Sequence, residues 1–444
     1  MIAPARIAAF DTILAVDVGR ADLPAALHRA RQPMKDDRDR ALAGEIATGT
    51  LRWQAAFDHV IAAFAGRPIN KLDREIVAIL RISIFQLLHL DRVPASAVVD
   101  DAVELARRAG KKSAAGFVNA LLRRVSRERH TLPLPQDPPL DFLSITLSHP
   151  RWLVERWLTR YGLEAATAWA RFDNEPAPLT LRVNSLRATR DGLARELRDV
   201  GVDTEPARFA PEALIVREGN PLLTPLAHTG VFVVQDEASQ LVGAFVGATA
   251  GERILDACAS PGGKTTQMAA MLKGDGTIVA ADVRGRRVAL LDRAVRESGA
   301  RNVLVVQADA RATVPFQDAA FDAILVDAPC SGLGTIRRDP DIRWRRGEAD
   351  LPSLAAAQSE TLAHLARAVR PGGRLVYSTC SSEPEENEAV VDAFLQAHQQ
   401  FRCETPARFR ADPGLGSLLD TEGALRTLPF RDGLEAFYAA CLVC

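Results

Sequence analysis

One stretch near residue 325 constrains the fold of this chain more than any other, because an apolar run in it stops abruptly. Ala323–Val326 is continuously apolar, and Asp327, Pro329 and Cys330 come directly behind it. An apolar run bounded by turn residues is typical of a strand that is covered on both faces of a sheet. In open α/β sheets, ligands bind beyond the carboxyl ends of such strands. The stretch therefore predicts a carboxylate and a thiol at a ligand-binding edge.

A second thiol follows a similar strand later in the chain. Arg374–Tyr377 leads into Ser378–Ser381, which contains Cys380. If the two strands are neighbours in a parallel sheet, their carboxyl ends meet at the same edge. The sequence therefore predicts that Cys380 lies close to Cys330 and Asp327.

The C-terminal half alternates between strand, loop and helix patterns from about residue 252 onward. Such alternation predicts a parallel sheet with helices on both faces. Leu434–Val443 is predicted to be a last strand, at or near the sheet edge. The earlier predicted strands, each ending at or near an acidic residue, are Arg253–Asp256, Thr277–Ala281 before Asp282, Val303–Val306 before Asp309, and the run before Asp327.

The N-terminal part of the chain has helical periodicity. Apolar residues between Ile76 and Leu88 cover a wide face, as in a helix buried within a bundle. A proline-rich stretch at 131–139 predicts a linker, and short strand and helix patterns follow it. We therefore predict a multidomain chain with an all-α bundle at 1–135, a small α+β region at 140–235 and an α/β, Rossmann-like domain at 236–444.

Composition limits where the chain works and what it binds. Its 444 residues carry a net charge of −1 and contain no run of about 18 apolar residues. No positive cluster precedes an apolar core at the N-terminus, so we expect no signal peptide. Six cysteines without a signal peptide predict a reducing cytoplasm and free thiols. Any contact with nucleic acid must then come from local basic patches.

Two concentrations of basic residues are candidates for such patches. Each also has a simpler interpretation, as a solvated helix face or a solvated loop. Arginines with an interleaved aromatic residue suit phosphate pairing and base stacking, so the second concentration is predicted to form a basic rim around a nucleic-acid target. The first comprises Arg107, Arg108, Lys111, Lys112, Arg123, Arg124, Arg127 and Arg129, and the second Arg337, Arg338, Arg343, Trp344, Arg345 and Arg346.

The loop Cys258–Thr265 has three candidate ligands. A Walker loop needs a glycine five positions before Gly263, where this chain has Cys258. The spaced glycines of a dinucleotide site are absent from this loop. A loop of small residues, which lets the backbone approach closely, suits the methionine end of an adenosyl sulfonium cofactor.

Acidic residues at the predicted strand ends favour that third ligand, S-adenosylmethionine. Asp282 is placed to accept hydrogen bonds from ribose hydroxyls, and Asp309 to lie near adenine. A single aspartate at such a position is more often a helix cap or a turn residue. Acidic groups suit a sulfonium, whereas they would repel a triphosphate. The four acidic strand ends are Asp256, Asp282, Asp309 and Asp327.

Two thiols and one carboxylate fit methylation of a pyrimidine at C5. That carbon is a poor nucleophile until a thiolate adds at C6, and an acid near N3 stabilises the charge that develops. A further group must help to remove the C5 proton so that the thiol can leave. Cys380, Cys330 and Asp327 supply these groups, and spacing alone leaves open which thiol attacks.

The other cysteines have simpler interpretations. Free cysteines are usually buried small hydrophobes, and we expect this for Cys403. Cys441 and Cys444 lack a second cysteine pair or a histidine at ligand spacing, so we expect no metal site. A disulfide between Cys330 and Cys380 is disfavoured in the cytoplasm.

Residues 92–124 resemble the RNA-binding helical domain of the antitermination factor NusB, as found fused to bacterial ribosomal RNA cytosine methyltransferases. The resemblance runs from about Arg38 to Arg124 and is most specific at Gly116–Arg124. It implies that the first basic concentration belongs to an RNA-binding surface.

The C-terminal half resembles the RNA cytosine-C5 methyltransferases that include the nucleolar Nop2/Sun proteins. The resemblance implies that Cys380 is the nucleophile and that Cys330 assists release, whereas in DNA cytosine methyltransferases the thiol of the Pro-Cys motif attacks. The matching motifs are Ser148–Leu153, Val234–Gln240, Cys258–Thr265, Asp327–Gly334 and Ser378–Ser381. The implied contacts of S-adenosylmethionine are Cys258, Ala259, Ser260, Pro261, Gly262, Gly263, Lys264, Asp282, Asp309 and Asp327.

The resemblance implies a cytoplasmic monomer that methylates C5 of a cytosine in 16S ribosomal RNA, free or in an early assembly state, through a covalent adduct of Cys380 with C6. The target cytosine must leave any base stack to reach that thiol. Transfer RNA or another RNA is the alternative substrate. The alternative function is a catalytically inactive RNA-binding factor for assembly or antitermination. We expect neither a membrane nor a metal as a partner.

The chain departs from the family pattern at two places. Ser260 stands where the family usually has alanine, a mild change because both residues are small. Leu434–Tyr438 replaces the usual Asp-Gly-Phe-Phe ending. The second change concerns a wall of the target pocket and leaves the reacting groups in place.

Overall fold

The structure is a computed structural model that describes residues 2–312 and 316–444. Met1, where the predicted N-terminal region begins, lies outside the described residues. The chain divides into two units, Met1–Pro176 with Ile336–Glu348, and Ala177–Thr335 with Ala349–Cys444. Every helix among the described residues is too short or too polar to span a bilayer.

The first unit begins with a helical bundle, as predicted. Its helices are α1 Pro4–Asp17, α2 Leu23–Arg31, α3 Asp37–Arg52, α4 Gln54–Ala65, α5 Arg74–His89, α6 Ala95–Arg108 and α7 Ala115–Arg127. Every residue of α5 from Ile76 to Gln86 is buried, which confirms the wide apolar face expected of a central helix. Local signals set the helix ends, since Asp22 caps α2 and Gly66 ends α4 at a φ of 65°.

The remainder of the N-terminal segment is also helical. A single turn, α8 Pro139–Asp141, runs into a π-helical turn at Phe142–Thr146, and α9 Arg151–Asn174 follows with a break at Gly162. Trp157 and Trp169 are fully buried on α9, and their rings stack with centroids 4.8 Å apart. These tryptophans therefore pack in the core of the first unit.

A small antiparallel sheet opens the second unit. It contains β1 Thr180–Val183, β2 Asp203–Pro206, β3 Ala213–Glu218 and β4 Phe232–Val234 in the order β2-β3-β1-β4, with α10 Arg190–Asp199 between β1 and β2. The central strand β1 is buried along its whole length. The sequence did not predict β2, because Asp-Thr-Glu-Pro is polar and lacks a strand pattern.

A larger mixed sheet forms the rest of the second unit, and its strand order is β10-β12-β9-β8-β5-β6-β7. The strands from β9 to β7 in this order pair in parallel, as predicted. The last predicted strand is β12; it pairs antiparallel with β9 near the edge, where the two-residue β10 lies beyond it. The strands are β5 Arg253–Asp256, β6 Thr277–Asp282, β7 Val303–Gln307, β8 Phe321–Asp327, β9 Val369–Thr379, β10 Arg402–Cys403, β11 Leu425–Arg426 and β12 Tyr438–Val443.

Helices alternate with these strands. In chain order they are α11 Glu237–Phe245, α12 Gly263–Met271, α13 Gly285–Ser298, α14 Ile342–Arg345, α15 Leu351–Ala366, α16 Glu388–Ala397, α17 Ala407–Ala411, α18 Pro413–Gly416 and α19 Pro429–Asp432. Alternate strand residues pack on opposite faces, so that Leu325 contributes to a core with Phe245 of α11, and Ile324 to a core with Leu362 of α15. The sheet is therefore covered on both faces, as its apolar runs predict.

The predicted basic rim is wrong for two of its members. Arg343 of α14 is 1% exposed, within the first unit, and donates hydrogen bonds to the carbonyl oxygens of Arg52 and Ser148 at 3.2 and 2.8 Å. The indole N–H of Trp344 donates to the carbonyl oxygen of Leu51 at 2.7 Å. Backbone acceptors offset the cost of burying the guanidinium, so Arg343 is an internal anchor, and the half-buried Trp344 is fixed to the first unit by its indole bond. For the other four arginines of the rim, contact with nucleic acid remains a prediction.

Arg343 lies beside a buried His–Asp pair of the first unit. His149 Nδ1 lies 2.7 Å from the carbonyl oxygen of Leu147 and donates to it, so the neutral ring presents Nε2 toward Asp173 Oδ2 at 3.5 Å. Burial raises the pKa of Asp173 to about 7, although Arg343 acts to lower it. Burial and the charge of Arg343 hold the pKa of His149 well below its usual value. A protonated Asp173 satisfies this geometry, because its O–H faces an acceptor nitrogen.

We predict that Asp173→Asn removes a pH dependence of stability. The folded protein holds the proton on Asp173 more tightly than the unfolded chain does. This contribution is present below about pH 4 and is lost as pH rises through 7, by up to about 4 kcal/mol. Urea unfolding at pH 4.5, 5.5 and 7 should therefore show wild type losing stability relative to Asp173→Asn. Asp91→Asn, at an exposed position, is the control, and parallel curves for wild type and Asp173→Asn would contradict the prediction.

Candidate active site

The two thiols singled out in the sequence lie side by side. β8 and β9 are neighbours, and Asp327 is in register with Ser378 at their carboxyl ends. Cys330 follows β8 and Cys380 follows β9, and their Sγ atoms are 3.1 Å apart. The backbone N–H of Cys380 points at the sulfur of Cys330 over 3.3 Å. The parallel pairing of two strands thus brings residues 50 positions apart into contact.

Asp327 lies at the same edge with a lysine and a hydroxyl as partners. Its Oδ2 accepts a hydrogen bond from Lys264 Nζ at 2.6 Å, and its Oδ1 accepts one from Ser378 Oγ at 2.9 Å. Lys264 Nζ also lies 5.7 Å from the centre of the Phe437 ring. Charge-assisted bonds of this kind are short and directional, so the carboxylate has a fixed orientation.

The backbone fastens the loops of the two cysteines to each other. Gly334 N–H donates to the carbonyl oxygen of Cys380 at 2.9 Å, and the carbonyl oxygen of Gly334 accepts from Ala436 N–H at 2.9 Å. A Cβ atom on Gly334 would lie 1.9 Å from the carbonyl oxygen of Ala436. Only glycine permits this close approach.

The glycine loop makes a tight turn between β5 and α12. Gly262 has a φ of 106°, and a Cβ there would come within 3.1 Å of side chains on α13, so the position requires glycine. The backbone N–H of Ser260 donates to Asp282 Oδ2 at 3.3 Å, and Arg287 donates to the carbonyl oxygen of Ser260 at 2.6 Å. These bonds tie the loop to the end of β6.

A buried arginine from the small sheet also holds this loop. Arg182, on β1, is 2% exposed and donates to the carbonyl oxygen of Gly263 at 3.1 Å, to Thr266 Oγ1 at 2.7 Å and to Gln235 Oε1 at 2.6 Å. Burial lowers its pKa to about 10. Its donors reach the first residues of α12, so β1 fixes the point where the glycine loop becomes helix.

The remaining acidic strand ends differ in exposure. Asp256 is buried, accepts a hydrogen bond from Thr265 Oγ1 at 2.6 Å, and has a pKa raised to about 7 by burial. Asp282 is buried beside Arg287, whereas Asp309 is half-buried and caps a turn through Arg311 N–H at 3.0 Å. Asp256 therefore stabilises the glycine loop through its bond with Thr265, whereas Asp282 and Asp309 line a cavity.

The predicted residues line two adjoining cavities of the second unit. One, of about 510 Å³, contains both thiols with Cys258, Ser260, Asp282, Asp309 and Asp327. The other, of about 540 Å³, is lined by Ala259, Pro261, Gly262, Gly263 and Lys264. Cys258, Ser260 and Asp327 border both. Within the described residues, no group of three His, Cys, Asp or Glu side chains is arranged to hold a metal ion.

The environments of the three thiols and the lysine in this region differ. The hydrogen bond with Cys380, then burial and the charges of Cys380 and Glu386, raise the pKa of Cys330 well above its usual value. Burial and nearby aspartates do the same for the pKa of Cys258. Burial acts to lower the pKa of Lys264, but the charges of Asp327 and Cys380 outweigh it and raise that pKa.

Some residues of the site were not singled out by sequence reasoning. Ser378 and Gln235 lie inside the family motifs of the sequence, but their contacts with Asp327 and Arg182 appear only in the structure. The signal for Arg182 was a single charge within the apolar strand pattern of β1. Glu386 lies in a run of acidic residues that also fits a solvated helix start, so its burial had no sequence signal.

Three segments match described families. Residues 245–443 match the family described as 16S rRNA methyltransferase RsmB/F, residues 3–127 the NusB family, and residues 149–222 the ferredoxin-like domain of RsmF/B-like methyltransferases. With the mixed sheet and the acidic cavity at its carboxyl edge, these matches define an S-adenosylmethionine-dependent methyltransferase. A NusB-like helical domain and a ferredoxin-like domain precede its catalytic domain.

Relatives match over nearly the whole chain. Ribosomal RNA small subunit methyltransferase B of Pseudomonas putida is 34% identical over 99% of this chain and 98% of that protein. The enzyme of the same name from Salmonella arizonae is 36% identical over 81% of this chain and 82% of that protein. A crystal structure named PH0851 is 27% identical, with a TM-score of 0.83, and covers 100% of this chain and 99% of that chain. The chain belongs to the 16S rRNA methyltransferase RsmB/F family, which confirms both resemblances seen in the sequence.

S-adenosylmethionine, the methyl donor of this class, fits the thiol-containing cavity. A volume of about 510 Å³ is within the range of small-molecule sites. Three carboxylates border it, which favours a positively charged ligand. The positive φ of Gly262 requires glycine, which has no side chain, so the loop leaves room beside it.

We predict that Arg182→Met weakens binding of S-adenosylmethionine by about tenfold or more, because the glycine loop loses its buried donors. Titration calorimetry with the folded variant measures the change, and a thermal melt shows that the variant is folded. Arg195→Met, at an exposed position of α10, is the matched control and should bind as wild type does. Wild-type affinity in Arg182→Met would show that the loop does not need this support.

Proposed function

We propose that this protein methylates C5 of a specific cytosine in 16S ribosomal RNA, through a covalent adduct between Cys380 and C6 of the base. The observation that carries the proposal is the pair of sulfurs 3.1 Å apart, beside Asp327, at one edge of the sheet. Membership of the RsmB/F family supports the 16S substrate. The adduct and the choice of C5 rest on the chemistry that follows.

The chain supplies a group for each change at the base. Cys380 adds to C6 as a thiolate, and the carboxyl group of Asp327 acts as a general acid at N3, where it stabilises the negative charge that develops. S-adenosylmethionine supplies the methyl group for C5 when it is bound. Cys330, as the proton-transfer group, passes the C5 proton to water, and the electron pair of that C–H bond re-forms the C5–C6 double bond as Cys380 leaves as a thiolate. Cys330, in contact with Cys380, assists this release.

Charge supports Cys380 rather than Cys330 as the nucleophile. Lys264 donates a hydrogen bond to Asp327 at 2.6 Å. Burial acts to lower the pKa of Lys264, but the charges of Asp327 and Cys380 raise it. Lys264 therefore brings a positive charge to Asp327 at this edge of the sheet. Cys330 has the opposite surroundings, because its bond with Cys380, burial and the charge of Glu386 raise its pKa. The assignment that the resemblance implies thus has electrostatic support.

The cofactor contacts are proposed on the same basis. Cys258, Ser260, Asp282, Asp309 and Asp327 share a cavity with both thiols. We assign Asp282 to the ribose and Asp309 to the adenine end, because they end or follow β6 and β7. The other residues of the loop, Ala259, Pro261, Gly262, Gly263 and Lys264, support it from the adjoining cavity.

RNA contact is assigned in part to the basic concentration on α6 and α7. Arg108, Lys112 and Arg123 are exposed, and Arg107 and Arg124 lie in exposed pairs with Glu104 and Glu128. Exposed ion pairs contribute little, so RNA phosphates can replace the carboxylates.

We further propose the three-part division at 1–135, 140–235 and 236–444, a monomer, and a cytoplasmic location.

Cys380→Ser should abolish methyl transfer while cofactor binding persists. A serine hydroxyl is not ionised near neutral pH, so we expect the rate to fall by at least about a thousandfold. Tritium transfer from labelled S-adenosylmethionine to 16S RNA measures the rate, and calorimetry measures binding. Cys403→Ser, a half-buried cysteine of β10, is the control and should keep full activity. Undiminished transfer by Cys380→Ser would refute the role of this thiol.

Cys330→Ala should trap the protein on its RNA. The adduct forms through Cys380, but its release is slowed, so a denaturant-stable complex with labelled RNA should accumulate on a gel. The double variant Cys330→Ala/Cys380→Ser should form none. If the single variant forms no complex, release by Cys330 is wrong. Transfer of the methyl group to transfer RNA alone, or to no RNA, would favour the alternative substrate or the inactive RNA-binding factor.

A further inference from the structure

One buried carboxylate touches both of the loops that carry the reactive thiols. Glu386 is fully buried in the short turn that it ends. Its Oε1 accepts a hydrogen bond from the backbone N–H of Ser331 at 2.8 Å, and its Oε2 accepts one from Ser381 Oγ at 2.5 Å. Ser331 directly follows Cys330, and Ser381 directly follows Cys380. A single side chain thus joins the two loops one residue away from each sulfur.

The surrounding contacts hold this carboxylate in place. Gln358 Nε2 donates to Glu386 Oε1 at 3.0 Å and to the carbonyl oxygen of Pro329 at 3.1 Å. The hydroxyl of Tyr377 donates to the carbonyl oxygen of Glu386 at 2.5 Å and also contacts Gln358 Oε1 at 3.1 Å. β9, α15 and the loop of Cys330 therefore all converge on one residue.

Glu386 is surrounded by hydrogen-bond donors rather than by a cationic partner. Three donors converge on its two oxygens, which is the arrangement that an ionised carboxylate accepts. In the part of the chain that the structure describes, no lysine or arginine forms an ion pair with it. Since the interior screens charge weakly, this negative charge acts on the groups around it.

The charges on the two sides of the thiol pair are opposite. The charged or titratable groups around Cys330 are Cys380, Glu386 and the hydroxyl of Tyr377. Lys264, paired with Asp327, interacts with Cys380. Burial, the bond with Cys380 and the charge of Glu386 therefore oppose ionisation of Cys330.

We propose that Glu386 is a positioning residue that ties the loop of Cys330 to the loop of Cys380 and whose negative charge opposes ionisation of Cys330. Its carboxylate does not reach the sulfurs themselves but bonds to the residues that follow them. The consequence for turnover rests on the proposed methyl transfer. The effect on the reactivity of Cys330 does not rest on that proposal, because it can be measured on the protein without RNA or cofactor.

The first test is the reactivity of Cys330 in a Cys380→Ser background. There the sulfur of Cys380 is gone, and Glu386 remains the carboxylate beside Cys330. Alkylation of Cys330 by iodoacetamide, followed by mass spectrometry of its peptide across a pH series, gives the pH of half-maximal rate. Adding Glu386→Gln should lower that pH by about one unit, because the amide keeps the shape but loses the charge. Glu360→Gln, exposed on α15, is the matched control and should not move it.

The second test is turnover. Glu386→Gln alone should transfer methyl at least about tenfold more slowly, with cofactor affinity unchanged. Ser381→Ala removes the hydrogen bond to Glu386 Oε2 but keeps the charge of Glu386. It should therefore slow turnover and leave the pH of half-maximal Cys330 alkylation unchanged. If Glu386→Gln changes neither the alkylation profile nor turnover, the proposal is overturned. If Glu386→Gln does not fold, full turnover by Ser381→Ala overturns it instead. Failure of wild type to methylate RNA would count against the proposed function and leave the alkylation result as the test of Glu386.

Discussion

The parallel pairing of β8 with β9 is the constraint on which the site depends. It sets Asp327 beside Ser378 and lets the loops beyond the strands bring two sulfurs to 3.1 Å. Neither strand end alone supplies the three reacting groups, because Asp327 and Cys330 follow β8 whereas Cys380 follows β9. Both strands are buried on two faces, so a one-residue slip would move apolar side chains to the wrong face of the sheet. Core packing therefore also fixes the geometry of the thiols.

Around this pairing, the site is supported by polar groups that are buried rather than exposed. Arg182 holds the glycine loop through a backbone carbonyl, Lys264 orients Asp327, and Glu386 joins the two thiol loops. Buried polar groups are costly unless they are bonded; Arg182 and Glu386 each have three hydrogen bonds, and Lys264 is paired with Asp327. Such a network resists small displacements of the loops. It also gives the two sides of the thiol pair different charge, so that two chemically identical side chains can take different roles.

Sequence patterns predicted the fold well where apolar residues recur at strand or helix spacing, and less well where a single polar residue is buried. The parallel strands and the helical bundle follow from continuous apolar runs and from helical spacing. Arg343 and Trp344 were expected on a basic rim, yet they anchor the first unit through the carbonyl oxygens of Ser148 and Leu51. An arginine in a polar stretch looks the same whether its acceptors are phosphates or backbone carbonyls. The strand β2 was missed because its residues are polar.

The sequence by itself determined the kind of chemistry: acidic strand ends, a glycine loop without a phosphate-binding pattern, and two cysteines after apolar strands. These features are local, since each depends on residue type and spacing within a few positions. Only the tertiary structure decided which groups surround which sulfur, because Lys264, Cys330 and Cys380 are distant in sequence and Glu386 meets the loop of Cys330 only through strand order. The protonation of a thiol depends on burial and on neighbours within a few ångströms. Those distances exist only once the chain has folded.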